Sequence, residues 1–140
     1  MQDITLFMSN HPLLVSALFV VLALSMVIEL LRAKQKLNSL TPIQATQMMN
    51  HQQAQVIDVR SAENFRKGHI INAQNIMPQD FEKNAKKLAR FKSNPFIIVC
   101  GLGKASQKVA ASLKKQGYNA FSLAGGMRAW QDAQMPIIKE

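Results

Sequence analysis

Cysteine is almost missing from this chain: Cys100 stands alone among 140 residues. No internal disulfide can form, which agrees with a reducing compartment, and a multi-cysteine zinc site is excluded. The three histidines, His11, His51 and His69, have no metal-ligand spacing. Aromatic residues are scarce too, with one Trp and one Tyr. Basic and aromatic residues do not interleave, so nucleic acid is not an expected partner. Acidic residues number 8 against 17 Lys and Arg. Residues 1–12 contain no Lys or Arg, and Asp3 is their only charge. That lack argues against a secretory signal peptide, which wants a positive n-region; no small-x-small cleavage site follows either. Internal repeats and low-complexity tracts are absent as well.

What is present begins with an apolar run. Leu13 to Ile28 reads LLVSALFVVLALSMVI, interrupted only by Ser16 and Ser25, and Glu29-Leu30-Leu31 extends it. This reaches the ~20 residues that cross a bilayer core. A buried core helix so long and apolar would be unusual in so small a protein. The expected organisation is a short external N-terminus (1–11), a transmembrane helix (12–31), a basic linker or helical extension of the anchor (32–39) and one domain (40–140). Arg32, Lys34 and Lys36 follow the run, and positive flanks stay in the cytoplasm. A single-pass protein of the inner, cytoplasmic membrane is therefore expected, N-terminus out and domain in the cytoplasm. Glu29 is tolerable at headgroup level, where Arg32 or Lys36 can pair with it. All 17 basic residues lie from residue 32 onward, against six acidic ones, and they dot helix surfaces, as in EKNAKKLARFK. With an anchor nearby, attraction to an anionic lipid bilayer accounts for them. The eight methionines are scattered and suit adaptable packing rather than a metal stripe.

After the basic stretch, Thr41, Pro42 and Gln44 form a capping-box start for a helix. QVIDV reads as a buried strand. Ser61 caps a brief helix, AENFRK, which Gly68 ends. Ala73 to Ile76 reads as another short strand. Pro78 to Arg90 carries Phe81, Ala85 and Leu88 at helical spacing, with Lys83, Lys86, Lys87 and Arg90 pointing away. Asn94-Pro95 breaks that helix. FIIVC is the clearest strand, and GLGK is a tight loop. Ala105 to Gln116 is a helix with Val109, Ala110 and Leu113 on one face and Gly117 beyond its end. NAFSL is a strand. Gly125-Gly126 turns into a last helix around Trp130, which Pro136 stops. Strands alternating with helices imply an α/β fold with a parallel sheet covered on both faces. Ligands bind such sheets at the carboxyl ends of the strands, which is where Asp58-Val59-Arg60 and the loop from Cys100 fall.

In FIIVCGLGKAS a cysteine ends a buried strand, and a glycine-rich turn leads straight into a helix. Backbone amides and the helix N-terminus then converge near the sulfur, lowering its pKa and favouring a bound anion. Lys104 adds positive charge. The arrangement suits a nucleophilic thiolate that accepts a group from an anionic donor. A small buried core cysteine is the other reading, and spacing alone leaves both open. Three further anion-binding patterns fail here. A Walker A loop lacks its early glycine and has Ala105 after the lysine. GxGxxG would need glycine at Ser106. A cysteine phosphatase would need arginine at that same position.

Together the pieces resemble the rhodanese family, across about Leu40 to Ile137: VIDVR (56–60), GHIINAQNI (68–76), FIIVCGLGKAS (96–106) and GYNAFSLAGGMRAW (117–130). Four such pieces in this order are highly specific. The resemblance implies a small parallel α/β sheet flanked by helices, preceded here by the transmembrane helix. It implies a sulfurtransferase in which Cys100 holds a sulfane sulfur as a persulfide. Gly101, Leu102, Gly103, Lys104, Ala105 and Ser106 would cradle it through backbone amides and the Ser106 hydroxyl. Asp58 and Arg60 would support the loop structurally, with direct substrate contact as the alternative. His69 would pack or hydrogen-bond, and Gly125, Gly126 and Trp130 would determine the fold. No cofactor or metal is implied. The partners would be a sulfur donor and a thiophilic acceptor, small molecule or protein, with room for a membrane-protein partner. Family loops often read C-x-x-G-x-R-[ST], whereas this one has Ala105 at the arginine and Lys104 one place earlier. Modest thiosulfate turnover is expected from that. A rhodanese fold retained for protein contacts at the membrane, with little or no catalysis, is the competing expectation.

Overall fold

The computed structural model describes residue 7 and residues 9–140, leaving aside the side chains of 34–37. Most of the expected external segment 1–11, and the side chains of Lys34 and Lys36, lie outside the described set. The chain forms two units, residues 1–35 and 36–140.

The first unit is dominated by helix α1, Pro12–Leu37. Within it, Pro12–Ala33 is a 22-residue stretch of mean hydropathy 2.6. At ~1.5 Å per residue it is ~33 Å long, enough for a hydrocarbon core of ~30 Å. Its apolar side chains are exposed all round, so protein packing does not account for their hydrophobicity. The Ser16 hydroxyl donates to the Leu13 carbonyl at 3.0 Å, which hides its polarity inside the helix. Glu29 faces Arg32 one turn on, at 3.5 Å. The helix continues through the basic residues to Leu37.

The second unit is a five-stranded sheet. Its strands are β1 (Ser39–Leu40), β2 (Gln55–Asp58), β3 (Gln74–Asn75), β4 (Phe96–Val99) and β5 (Ala120–Leu123). All neighbours are parallel, in the order β1-β5-β4-β2-β3. Central strands with two covered faces must be apolar throughout, as FIIV is. Phe96, Ile98 and Cys100 enter one core together with Ile57, Ala110 and Leu113. Ile97 and Val99 enter the other, with Val56, Leu123 and Trp130. The period-two alternation therefore sets the direction of the cysteine before any loop geometry acts.

Helix α2 (Pro42–Gln52) begins with the capping box expected from Thr41 and Gln44. Ser61 caps α3 (Ala62–Lys67). The stretch 78–90 departs from expectation. Instead of one helix it makes a 3-10 turn, Pro78–Asp80, then turns, then the short helix α4, Ala85–Ala89. The break falls at Asn84 and Ala85. The backbone and side-chain amides of Asn84 both donate to the Asp80 carbonyl, at 3.1 and 2.9 Å, while the Ala85 amide reaches back only three residues, to the Glu82 carbonyl at 3.2 Å, so the winding tightens there. Ala85 is exposed, while Phe81 and Leu88 turn inward. Helix α5 is Lys104–Lys115 and α6 is Gly126–Asp132. Strand β1 has no signature in the sequence: two residues at the end of a polar stretch carry no periodicity.

Candidate active site

The parallel register fixes which residues meet. Asp58 pairs with Val99 across β2 and β4, so Asp58 and Cys100 both sit at the carboxyl edge of the sheet. Past Val99 the chain turns through Gly101–Gly103 into α5. Gly103 has φ +88, and a β-carbon there would lie 2.8 Å from the Gly125 nitrogen. Only glycine fits so tight a turn in the left-handed region.

This turn aims hydrogen-bond donors at the Cys100 sulfur. The amide of Gly103 donates to Sγ at 3.0 Å, and that of Ser106 at 3.4 Å. The Ser106 oxygen lies 3.4 Å from Sγ. Ser106 is 0% exposed, and its hydroxyl can donate to the Gly103 carbonyl at 3.0 Å. Burial pushes the Cys100 thiol up. The Ser106 hydroxyl and the amides of Ser106, Gly103 and Leu102 together outweigh that and hold it below its ordinary value. Cys100 is 6% exposed. The rim is open, since Gly101, Leu102, Lys104 and Ala105 are all exposed. Anionic sulfur is thus favoured by fixed dipoles, and a reactant can approach from the solvent side.

A second turn holds the loop from behind. Met127 N donates to the Cys100 carbonyl at 2.8 Å, and Arg128 N to the Gly101 carbonyl at 3.2 Å. With those carbonyls tied to the start of α6, the loop's amides are left for the sulfur. Gly126 touches this junction directly: a β-carbon there would fall 2.2 Å from the Cys100 carbonyl oxygen. The doubled glycine is visible in the sequence as a turn, but its contact with the cysteine loop, some 25 residues earlier, is not.

Asp58 and Arg60 form a separate brace. Asp58 is 1% exposed, and its carboxylate accepts from Arg60 Nη2 at 2.6 Å and from Nε at 3.0 Å. Arg60 Nη2 also donates to the Gly68 carbonyl at 2.7 Å. The Asn75 amide donates to the Asp58 and Arg60 carbonyls at 3.1 and 2.9 Å. These bonds tie the end of β2 to the turn before β3. His69 is buried, with Nδ1 2.9 Å from the Phe65 carbonyl and its ring stacked on Phe65 at 3.7 Å. Trp130 is buried and donates from Nε1 to the Pro136 carbonyl at 3.0 Å.

A sulfur ringed by amides at the carboxyl end of a central parallel strand invites comparison with known proteins. A family model described as the rhodanese-like domain matches residues 41–133. The chain belongs to this family. YibN of Escherichia coli K12, an uncharacterized protein, is 32% identical over 141 residues, 99% of each chain. The thiosulfate sulfurtransferase GlpE of Haemophilus influenzae is 39% identical over 99 residues, covering 70% of this chain and 91% of its own. Among solved structures, a rhodanese-like domain protein from Staphylococcus aureus is 32% identical with a TM-score of 0.61, covering 74% of this chain and 99% of its own. The rhodanese-related protein of Thermoplasma volcanium shares the fold at a TM-score of 0.67 and 22% identity, with the same coverage, 74% and 99%. The rhodanese fold expected from the sequence is the fold observed, and its carboxyl edge holds the only cysteine.

Proposed function

We propose that this rhodanese-like protein is a sulfurtransferase that carries a sulfane sulfur as a persulfide on Cys100, tethered to the membrane by α1. The observation that carries the reading is the cradle itself, with the Gly103 amide at 3.0 Å and the Ser106 amide at 3.4 Å from Sγ. The kinship with GlpE sulfurtransferases supports it. In the first step the Cys100 thiolate attacks the outer sulfur of a donor such as thiosulfate. A new S–S bond forms, the donor's S–S bond breaks, and sulfite leaves with the electron pair. The persulfide anion that remains meets the same amides. In the second step a thiophilic acceptor attacks the terminal sulfur, and Cys100 departs as thiolate. No proton need move at Cys100 in either step, which suits a site built from amides rather than a general base. Donor treatment should add the mass of one sulfur, ~32 Da, to Cys100, and Cys100→Ser should abolish the adduct. If several chemically different donors leave no adduct, the activity reading falls and the protein-contact module takes its place.

Lys104 and Ala105 govern the donor. Fixed dipoles steady the thiolate whatever these side chains are. A dianionic donor needs full charge, and Lys104 supplies a single exposed ammonium at the start of α5. Such a flexible point charge attracts weakly and loses strength in salt. Thiosulfate turnover should therefore have a high KM. Ala105→Arg should raise kcat/KM roughly tenfold, equivalent to ~1.4 kcal/mol for one added charge-assisted contact. Lys104→Ala should lower it, with a smaller loss at high salt. Unchanged turnover in Ala105→Arg, with the persulfide still forming, would point to an uncharged or protein-bound donor.

The orientation we propose places the sulfurtransferase unit in the cytoplasm of an inner membrane, because Arg32, Lys34 and Lys36 flank the apolar stretch on that side. Alkaline phosphatase fused after Glu140 should stay inactive; periplasmic activity would reverse the topology.

A further inference from the structure

The domain's charge is one-sided. Segments 78–92 and 104–116, which cover one sheet face through Phe81, Leu88, Val109 and Leu113, contain nine basic and two acidic residues. The remainder of the domain from residue 38 contains five basic and four acidic ones. One of the two acids, Asp80, is already engaged by Lys83 at 3.3 Å. Lys86, Lys87 and Arg90 around α4, and Lys108 and Lys115 on α5, are exposed and form no ion pair among the described residues. The α5 cations follow helical geometry. Positions 108 and 115, seven residues apart, fall on one face, opposite the buried Ser106, Ala110 and Leu113. That face points straight out of the layer.

Within residues 36–140 the chain enters the domain beside this layer. Asn38, the one residue between α1 and β1, is bonded to the Lys114 ammonium of α5 through its side chain. Its carbonyl accepts from the Ser122 amide at 2.9 Å. Lys114 also lies over the Phe121 ring at 4.9 Å. From the end of the apolar stretch at Ala33 to Ser39 the chain is short and mostly helical. At no more than ~3.6 Å per residue, six steps span at most about 22 Å whatever their conformation, so chain length alone keeps the domain near whatever holds the apolar stretch.

We propose that the α4–α5 layer is a lipid-docking face that binds the phosphates of anionic phospholipids in the leaflet from which the tether emerges. The proposal rests on the membrane-anchor reading of α1. Unpaired cations on an outward face match a plane of phosphates, and the tether has already met the cost of bringing them near. An acidic protein would find the same charge but has no such tether to favour it. Because the layer covers a face of the sheet, docking leaves the carboxyl edge with Cys100 free at the side for donor and acceptor.

The test uses the full chain with Cys100→Ser, reconstituted into nanodiscs of phosphatidylcholine with or without phosphatidylglycerol. A fluorophore is attached through Ala89→Cys, an exposed site on α4, or Ala133→Cys, just past α6 on the other sheet face. A headgroup-spin-labelled lipid serves as quencher. Quenching at position 89 should be at least about threefold stronger with phosphatidylglycerol, should fade at high salt, and should drop when Lys86→Gln, Lys87→Gln and Arg90→Gln are combined. Position 133 should show no such dependence. Equal quenching at 89 in both lipids, or a lipid-charge response at 133 instead, overturns the docking face. Absence of quenching at 89 in both lipids overturns it as well. Release of the chain by alkaline carbonate would remove the anchor and the proposal together; firm insertion without lipid-charge dependence sinks the docking face alone.

Discussion

Gly126→Ala should cut sulfur transfer by about a hundredfold, although residue 126 is buried behind the cysteine loop. Its φ is +59, a region that costs a residue with a β-carbon roughly 1–2 kcal/mol. The added methyl would also fall 2.2 Å from the Cys100 carbonyl oxygen and 2.8 Å from the Gly101 carbonyl. Those atoms are backbone, so they cannot swing away as a side-chain tip would. Overpacking of this kind costs about 1–3 kcal/mol and shifts the backbone. The loop must move outward, stretching the bonds from Met127 N and Arg128 N that hold its carbonyls. A shift of about 1 Å at reacting atoms is enough for a hundredfold loss. Burial, which raises the thiol, would then be less well opposed by the amides that lower it. The pH midpoint for alkylation of Cys100 should therefore rise. Tm should fall by at least ~8 °C, at ~4–8 °C per kcal/mol for a domain of this size. Gly101→Ala is the control. It sits next to the nucleophile, yet nothing lies within 4 Å of a β-carbon there. It should leave stability and the alkylation midpoint nearly unchanged. If both variants behave alike, the interlock of the two turns does not position the sulfur.

That contrast shows where sequence reading stops. The buried strands QVID, FIIV and AFSL were legible as short, mainly apolar runs bounded by turn residues. The caps at Thr41 and Ser61 were legible because capping is a local hydrogen bond between residues three apart. Cys100, the glycine turn and Ser106 were legible as a unit, since strand, loop and helix are contiguous. What escaped was set by local winding or by distance. The backbone tightens at Asn84 and Ala85, where bonds reach back three residues, and this breaks a helix that periodicity alone would continue. Strand β1 exists only because β5 offers it an edge, with Ser39 opposite Ser122. The grip of Gly126 on the cysteine loop joins residues far apart in the chain, so no local pattern announces it. The one-sided charge was present in the composition, yet it became a face only once α4 and α5 were seen to cover the same side of the sheet.

Arg60→Ala is expected to be among the most destabilising single changes in the domain, at about 3–5 kcal/mol. Asp58 is 1% exposed, and its carboxylate is held by the Arg60 guanidinium at 2.6 and 3.0 Å and by the Arg60 amide at 2.9 Å. Removing the guanidinium strands a buried charge, and that accounts for most of the cost. The Gly68 carbonyl loses its donor as well, so the turn before β3 loosens. Marginal domains hold only ~5–15 kcal/mol in reserve, so much of the stability is at stake. The sign of a second substitution separates this account from a simple loss of packing. Asp58→Asn in the Arg60→Ala background removes the stranded charge and should restore part of the stability, with a coupling of about 2 kcal/mol in the double-mutant cycle. A packing loss would instead add to the first. Urea unfolding reads the effect cleanly, because Trp130 is the chain's only tryptophan and lies in the domain core. The same variants decide whether Arg60 also contacts the donor. Its described bonds go to Asp58, Gly68 and, through its carbonyl, Asn75, and none reaches the Cys100 loop among the described residues. Persulfide formation by the folded fraction of Arg60→Ala should therefore keep its dependence on thiosulfate concentration. A large rise in KM at unchanged folded fraction would make Arg60 a substrate-binding residue as well as a brace.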